Sequence, residues 1–186
     1  MILIVAGVSG SGKTTVGALL AGRLHWRFAD GDDFHRAANV EKMRAGIALT
    51  DDDRWPWLRT IAAWMDERAA QGESAVIPCS ALKRSYRDIL LVGRPEARLI
   101  FLSVDREVLA SRLAARHGHF FPAQLLGSQL DAFEPPQPDE HTVTVIEHSA
   151  DQPADTVASI VGLLWPGDGA VSDASGGSGG EPEAKT

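Results

Sequence analysis

Short apolar runs alternate along this chain with longer segments whose apolar residues recur at helical spacing. The runs predict β-strands at residues 2–6, 27–30, 74–79, 98–103 and 142–146, of which those at 2–6, 74–79 and 98–103 are expected to be buried. The helical spacing predicts helices at residues 35–45, 57–70, 82–92 and 106–116. Two more helices follow the first and last strands, with apolar faces formed by Val16, Leu19, Leu20 and Leu24 and by Val157, Ile160, Val161 and Leu164. Strands alternating with helices indicate an α/β fold with a parallel sheet covered on both faces, which binds ligands at the carboxyl ends of its strands.

Two segments and a tail interrupt this alternation. Residues 31–60 carry a high density of charge, and residues 117–138 form a polar and aromatic insertion before the last strand. Insertions of this kind are usually binding regions or lids. The glycine-rich residues 167–186 have little apolar surface to bury and predict a flexible tail. We therefore expect one domain over residues 1–166, with a substrate region at 31–60 and a lid at 117–138.

Composition narrows the class of protein. Hydrophobic residues make up 44% of the 186 positions, which is enough for a sizeable core. The net charge of −7 and the lack of a basic stretch argue against nucleic acid as a partner. No apolar run is long enough to span a membrane. The single cysteine, Cys79, excludes an intramolecular disulfide, suits a reducing cytoplasm and lies in an apolar run that favours a buried structural role.

The segment between the first strand and the first helix carries the clearest chemical signal. It matches the phosphate-binding pattern G-x-x-x-x-G-K-T. Glycines let successive backbone N–H groups point inward around a phosphate, Lys13 brings an ammonium to the β- and γ-phosphates, and the Thr14 hydroxyl is a ligand for Mg²⁺. The positive end of the following helix adds to the same site. The residues predicted to bind a nucleoside triphosphate are Gly7, Val8, Ser9, Gly10, Ser11, Gly12, Lys13, Thr14 and Thr15.

Carboxylates after the second strand indicate the reaction class. A GTPase would need an N-K-x-D motif, which the sequence lacks, and the third strand ends in Cys79 and Ser80 rather than in the acid of a Walker-B strand. Asp32 is placed to act as the base for an attacking hydroxyl, and Asp30, nearer the strand end, to join the Mg²⁺ shell. Asp33 is equally well explained as a favourable charge at a helix N-terminus.

Two arginines precede the insertion. Arg112 and Arg116 lie four positions apart, so they share one face of the helix that enters it. We expect Arg116, close to the hinge-like Gly118, to reach the phosphates as the insertion closes, with Arg112 beside it. Two solvated helix arginines are the alternative.

Further cations follow the acidic cluster and the third strand. Arg54 comes directly after three aspartates and is suited to hold a carboxylate bidentately, although a salt-bridge cluster at a helix start would look the same. Lys83, Arg84 and Arg87 begin the helix after the third strand. Cations that converge on a cleft with hydroxyl-accepting carboxylates suggest a polyhydroxylated, anionic substrate.

Several motifs together resemble one kinase family. Beyond the phosphate loop, the chain contains D-G-D-x-x-H at residues 30–35, D-D-D-R-x-P-W-L at 51–58, C-S-A-L-K at 79–83 and G-H-F-F at 118–121. With these selective motifs in matching order, the chain resembles the gluconate kinases (gluconokinases) of the nucleoside-monophosphate-kinase-like P-loop group. The departures are small: Arg36 stands where that family usually has proline, and Phe133 replaces a leucine.

This resemblance implies a three-layer α/β/α P-loop fold with a five-stranded parallel sheet, a substrate-binding helical region and a lid. The implied reaction is phosphorylation of D-gluconate to 6-phospho-D-gluconate by ATP with Mg²⁺, often by a homodimer. Carried over by position, Asp32 contacts the reacting end of the sugar acid. The other candidates around the substrate are His35, Arg54, Ser80, Lys83 and His119.

Three alternatives are weighed against this family. A shikimate kinase would bind a ring with hydroxyls and a carboxylate, which the same side chains would satisfy, so only the motifs argue against it. A nucleoside-monophosphate kinase needs an apolar slot for a second base, whereas residues 31–60 offer acids, His35 and Arg54. A non-catalytic ATP-binding regulator would be expected to lack Asp32 or the lid arginines, which are all present.

Overall fold

The structure is a computed structural model that describes residues 1–105, 107–109, 111, 125–147 and 152–166. Its five strands are β1 (Ile2–Ala6), β2 (Arg27–Phe28), β3 (Ala75–Pro78), β4 (Ala97–Ser103) and β5 (Val143–Glu147). They form one sheet in the order β2-β3-β1-β4-β5, and every neighbouring pair is parallel. The predicted five-stranded parallel sheet is therefore confirmed.

Helices cover both faces of this sheet. They are α1 (Lys13–Leu24), α2 (Ala37–Arg44), α3 (Asp51–Ala70), α4 (Arg84–Leu91), α5 (Leu125–Asp131) and α6 (Pro153–Leu164), with a short 3₁₀ helix at Gly31–Phe34. Alternate side chains of β1 enter two separate apolar clusters, because successive residues of a strand point to opposite faces. One cluster includes α3 and α4, and the other α1 and α6. The three-layer α/β/α architecture is confirmed.

Helix α3 begins six residues earlier than the apolar spacing predicts. Its N-terminus is a capping box: Asp53 N–H donates to the Thr50 hydroxyl at 3.3 Å, and Thr50 N–H donates to the Asp53 carboxylate at 3.0 Å. Pro56 is tolerated because it lies near the start of the helix, where few N–H groups have helical partners. The early start places Arg54 on the helix, near the carboxyl edge of the sheet.

The predicted apolar face of α1 is wrong at one position. Val16 and Leu20 are fully buried, but Leu19 is 45% exposed. The buried stripe instead includes Gly17 and Ala21, whose small size lets the helix pack closely on the sheet. A Cβ at Gly17 would lie 3.0 Å from the Pro78 ring, so the contact there leaves little space.

Some predictions fall outside the described residues. In the helix predicted at 106–116, residues 107–109 and 111 are helical, and the others lie outside that set. The tail at 167–186 and residues 112–124 of the helix and lid region also lie outside it. Among the helices that the structure describes, none is long and apolar enough to cross a membrane.

Candidate active site

A cavity of about 200 Å³ lies where the carboxyl ends of β1, β2 and β3 meet. This is the edge at which open parallel sheets bind ligands. The cavity brings together most of the predicted site residues, which are Ser9, Gly10, Gly12, Lys13, Thr14, Thr15, Asp30, Asp32, His35, Arg54 and Ser80. Gly7, Val8 and Ser11 are also in the phosphate loop, but they are buried beneath its surface.

The phosphate loop has the backbone conformation that its glycines permit. Gly10 and Gly12 have φ angles of 84° and 87°, in the left-handed region that favours glycine. A Cβ at Gly7 would lie 2.9 Å from the backbone oxygen of Leu102, so the loop also runs too close to β4 for a side chain. The Lys13 ammonium donates to the Val8 carbonyl at 2.9 Å. The loop therefore positions Lys13 and the N-terminus of α1 at the cavity, as anion binding requires.

Asp30 links the phosphate loop to the acidic segment that follows β2. One carboxylate oxygen accepts from the Thr14 hydroxyl at 3.2 Å, and the other accepts from Asp32 N–H at 3.0 Å. Trp57 Nε1–H donates to the Gly31 carbonyl at 2.7 Å, and a Cβ at Gly31 would lie only 2.2 Å from the backbone oxygen of Pro78. The acidic turn is thus fixed against both α3 and β3.

Asp32 lines the cavity and is exposed there, although the surrounding protein partly desolvates its carboxyl. Burial raises the pKa of its carboxyl above the ordinary value, and the neighbouring Asp30 and Asp33 carboxylates raise it further. The charges of Lys13 and Arg54 act in the opposite direction without cancelling the increase. A raised pKa improves a carboxylate as a proton acceptor, because the best base has a pKa near the working pH.

His35 forms part of the cavity wall as a neutral imidazole. Its ring stacks on Trp57 with centroids 4.2 Å apart and planes 15° apart. Burial and, secondarily, the Arg54 charge lower the pKa of His35 to about 4. Its buried Nδ1 has no hydrogen-bond partner within the part of the chain that the structure describes. A neutral imidazole in this position can exchange a hydrogen bond with a substrate hydroxyl.

Two of the three acids before Arg54 are held by lysines. Asp51 accepts from Lys83 through both oxygens at 2.8 Å, and Asp53 accepts from Lys42 at 2.7 and 2.9 Å. Arg54 lines the cavity, where a guanidinium can bind a carboxylate. The structure therefore brings Arg54 to the site but does not bring Lys83 into the cavity lining. The predicted positions of Arg112, Arg116 and His119 lie outside the described residues.

Arg84 and Arg87, which the sequence suggested for the cleft, point elsewhere. Arg87 is fully buried and makes a bidentate ion pair with Glu140 at 2.6 and 2.8 Å. Arg84 makes a bidentate pair with Asp139 at 3.0 and 2.8 Å, and its N–H donates to the Glu134 carboxylate. The expectation was wrong for this pair, because their acidic partners lie about 50 residues further along the chain and no local pattern links them. Both arginines anchor residues 134–140 on α4.

The cavity also contains residues that the motif analysis did not select for the site. Met43 and Leu49 contribute apolar walls, and Ser128 and Gln129 approach from α5. Gln129 is 7% exposed, and its Oε1 accepts from Ser9 N–H at 2.6 Å. No local sequence pattern predicts this contact, because the two residues are 120 positions apart.

Comparisons with known proteins agree with this geometry. A family described as AAA domain matches residues 2–136. The chain is 49% identical over 143 residues to the gluconokinase of Gluconobacter oxydans (strain 621H), covering 77% of this chain and 80% of that protein. It is 43% identical over 169 residues to the thermoresistant gluconokinase of Escherichia coli (strain K12), and the match covers 89% of this chain and 94% of that protein.

Solved structures show the same likeness. A sugar kinase from Janibacter sp. HTCC2649, in an unliganded structure, has a TM-score of 0.81 at 44% identity and covers 88% of this chain and 93% of that one. A gluconokinase from Sinorhizobium meliloti 1021 has a TM-score of 0.70 at 40% identity, covering 87% and 94%. A shikimate kinase from Aquifex aeolicus vf5 has a TM-score of 0.51 at 15% identity, which shows a shared fold alone.

Proposed function

This chain belongs to the gluconokinase family of P-loop kinases, and we propose that it transfers the γ-phosphoryl group of ATP to D-gluconate, giving 6-phospho-D-gluconate. One observation carries this proposal: a single cavity joins the phosphate loop to a carboxylate with a raised pKa and to Arg54. Shikimate kinase is the weaker alternative, because its likeness is limited to the fold, whereas gluconokinases are 40–49% identical to this chain.

The residues of the cavity divide the reaction between them. The phosphate loop and Lys13 bind the phosphates and balance the negative charge of the transferring group. Asp32 accepts the proton of the attacking hydroxyl as the new O–P bond forms and the bond to the β-phosphate oxygen breaks. ADP leaves with its charge balanced by the same loop. Arg54 binds the carboxylate of the sugar acid, and His35 and Ser80 bind hydroxyls along its chain.

Thr14 and Asp30 fit a Mg²⁺ site. Their hydroxyl and carboxylate oxygens are 3.2 Å apart, beside the loop that binds the phosphates. Within the described residues, no cluster of three or more His, Cys, Asp or Glu side chains could hold a metal ion. Mg²⁺ in kinases is bound by few protein oxygens together with substrate phosphates and water, so such a cluster is not required. The ion would neutralise phosphate charge when bound.

Some finer assignments remain predictions. Arg112, Arg116 and His119 would complete the site from the lid side, and Lys83 would join the substrate region only by leaving Asp51. A homodimer is predicted from the family resemblance, and a cytoplasmic location from the single cysteine. Analytical ultracentrifugation of the purified full chain measures its oligomeric state directly.

An acceptor panel tests the proposed function. ADP formation is measured with ATP and Mg²⁺ and with D-gluconate, shikimate or AMP as the acceptor, alongside a Lys13→Ala variant. We expect turnover with gluconate only, and almost no turnover in the variant. Circular dichroism should show that the variant keeps its fold. Turnover with shikimate or AMP instead would overturn the substrate, and an active Lys13→Ala variant would overturn the phosphate-loop assignment.

A further inference from the structure

One peptide unit of the phosphate loop is held from both sides. The carbonyl of the Val8–Ser9 peptide accepts from Lys13 Nζ at 2.9 Å. The N–H of the same peptide donates to Gln129 Oε1 at 2.6 Å. A lysine that reaches the β- and γ-phosphates and a glutamine from α5 therefore meet on opposite ends of one amide. This places Gln129 beside the part of the loop that faces the terminal phosphate.

The chemistry of a carboxamide suits this position. Gln129 is almost fully buried and lines the same cavity as Lys13 and Asp32. Its oxygen is used by Ser9, so the group left for a ligand is the Nε2 amide, which can only donate. Phosphate oxygens can only accept. A neutral donor held in a protein wall by its other end is a preorganised contact for a phosphoryl group.

We propose that Gln129 binds the terminal phosphate of ATP, with Nε2 donating to a γ-phosphoryl oxygen while Oε1 holds the Ser9 N–H. This inference rests on the proposed function and adds a residue to its phosphate site. Gln129 also lies within the predicted lid at 117–138. The contact would therefore tie α5 to the γ-phosphate and let the protein distinguish ATP from ADP.

A purely structural role for Gln129 makes a different prediction. If the side chain only supports the loop, its loss weakens the binding of ADP and of ATP equally, because both nucleotides depend on the same loop. If it binds the γ-phosphate, its loss weakens the binding only of nucleotides that carry that group. The ratio of the two affinities separates these roles without relying on turnover.

Two substitutions and one control measure this ratio. Gln129→Met keeps the approximate volume and adds no charge but removes both polar atoms, whereas Gln129→Glu keeps an acceptor for Ser9 N–H and removes the donor. Gln71→Glu is the matched control, since Gln71 is exposed at the end of α3, where its side-chain amide donates to Glu67 at 3.3 Å. Titration calorimetry with Mg²⁺ gives Kd for ADP and for the non-hydrolysable ATP analogue AMP-PNP in the full chain.

We expect Gln129→Met to raise the Kd for AMP-PNP about 10- to 100-fold, the range for a lost hydrogen bond to a charged group, and to change the Kd for ADP less than twofold. Gln129→Glu should lose at least as much AMP-PNP affinity, and the Gln71 control should match the wild type. Equal changes for both nucleotides, or none, would overturn the inference, and if Gln129→Met does not fold, Gln129→Glu decides. Failure of the proposed function would appear separately, as wild-type protein that binds AMP-PNP normally but does not phosphorylate gluconate.

Discussion

Replacing Gly31 by alanine tests how the sheet fixes the carboxylates of the site. The new Cβ would lie 2.2 Å from the Pro78 backbone oxygen and 3.3 Å from its carbonyl carbon. An ordinary C···O contact is about 3.3 Å or longer, so roughly 1 Å of movement is required. Pro78 cannot supply it easily, because it is paired in register with Val5 of the central strand and Cys79 N–H donates to the Val5 carbonyl at 3.0 Å. The acidic turn must move instead.

The cost of this movement follows from the contacts that it breaks. Overpacking a buried position costs about 1–3 kcal/mol. Losing the bond from Trp57 Nε1–H to the Gly31 carbonyl adds about 1–3 kcal/mol, because both groups are buried. We therefore expect the free energy of unfolding to fall by about 2–6 kcal/mol, which lowers Tm by roughly 4–24 °C in a protein of this size. The displaced Asp32 should lower kcat about 100-fold.

Gly22→Ala is the matched control. Gly22 lies within α1, and a Cβ there would meet no atom within 4 Å. Alanine should stabilise the helix by up to about 1 kcal/mol and leave kcat unchanged. Urea unfolding followed by tryptophan fluorescence, with gluconate-dependent ADP release, measures both variants. A Gly31→Ala protein within about 0.5 kcal/mol of the wild type and with normal kcat would refute the reasoning, since surface-like substitutions stay in that range.

Three other predictions follow from the site. Arg54→Ala should raise the KM for gluconate about 10- to 100-fold and leave the KM for ATP within about twofold, because a charge-assisted bond to a carboxylate is lost. The control Arg59→Ala, at an exposed position, should change neither KM. Equal effects of Arg54→Ala on both KM values would show that Arg54 has a structural role instead. The pKa of His35 is about 4 in the folded protein and about 6.5 in the unfolded chain. Between these two pH values the unfolded chain binds a proton that the folded protein does not, so the free energy of unfolding should decrease as the pH falls from about 6.5 to about 4. In urea unfolding at pH 7 and pH 5, His35→Gln should lose this part of the pH dependence of the unfolding free energy. A pH dependence equal to that of the wild type would contradict the lowered pKa of His35. Burial raises the pKa of the Cys79 thiol to about 12, so a thiol reagent should modify Cys79 only at the rate of unfolding; rapid labelling of the folded protein would contradict its burial.

The sheet and the phosphate loop could be predicted from sequence because their signals are local. The buried strands appear as short apolar runs, and the loop residues must occur at fixed spacing to enclose a phosphate. The sequence also contains a signal for the early start of α3, since Thr50 and Asp53 have the spacing of a capping box. Leu19 was misplaced because apolar spacing alone does not show that Gly17 and Ala21 make the closest contacts.

The parts of the site that sequence reasoning missed depend on contacts between distant residues. Gln129 meets Ser9 across 120 residues, and Arg87 meets Glu140 across 53. A buried arginine with a bidentate partner and a solvated one have the same local sequence pattern. Only the fold, which brings residues 134–140 back to α4, distinguishes them.

The kcat of Asp32→Asn at saturating ATP and gluconate tests the central claim most directly. Asparagine keeps the size of the side chain but cannot accept the proton of the attacking hydroxyl. Asp33→Asn is the control, because Asp33 is exposed and does not line the cavity. We predict a fall in kcat of about 100-fold or more for Asp32→Asn, as expected for the loss of a general base, and less than about threefold for the control. A loss of less than about tenfold in Asp32→Asn would contradict the assignment of Asp32 as the base.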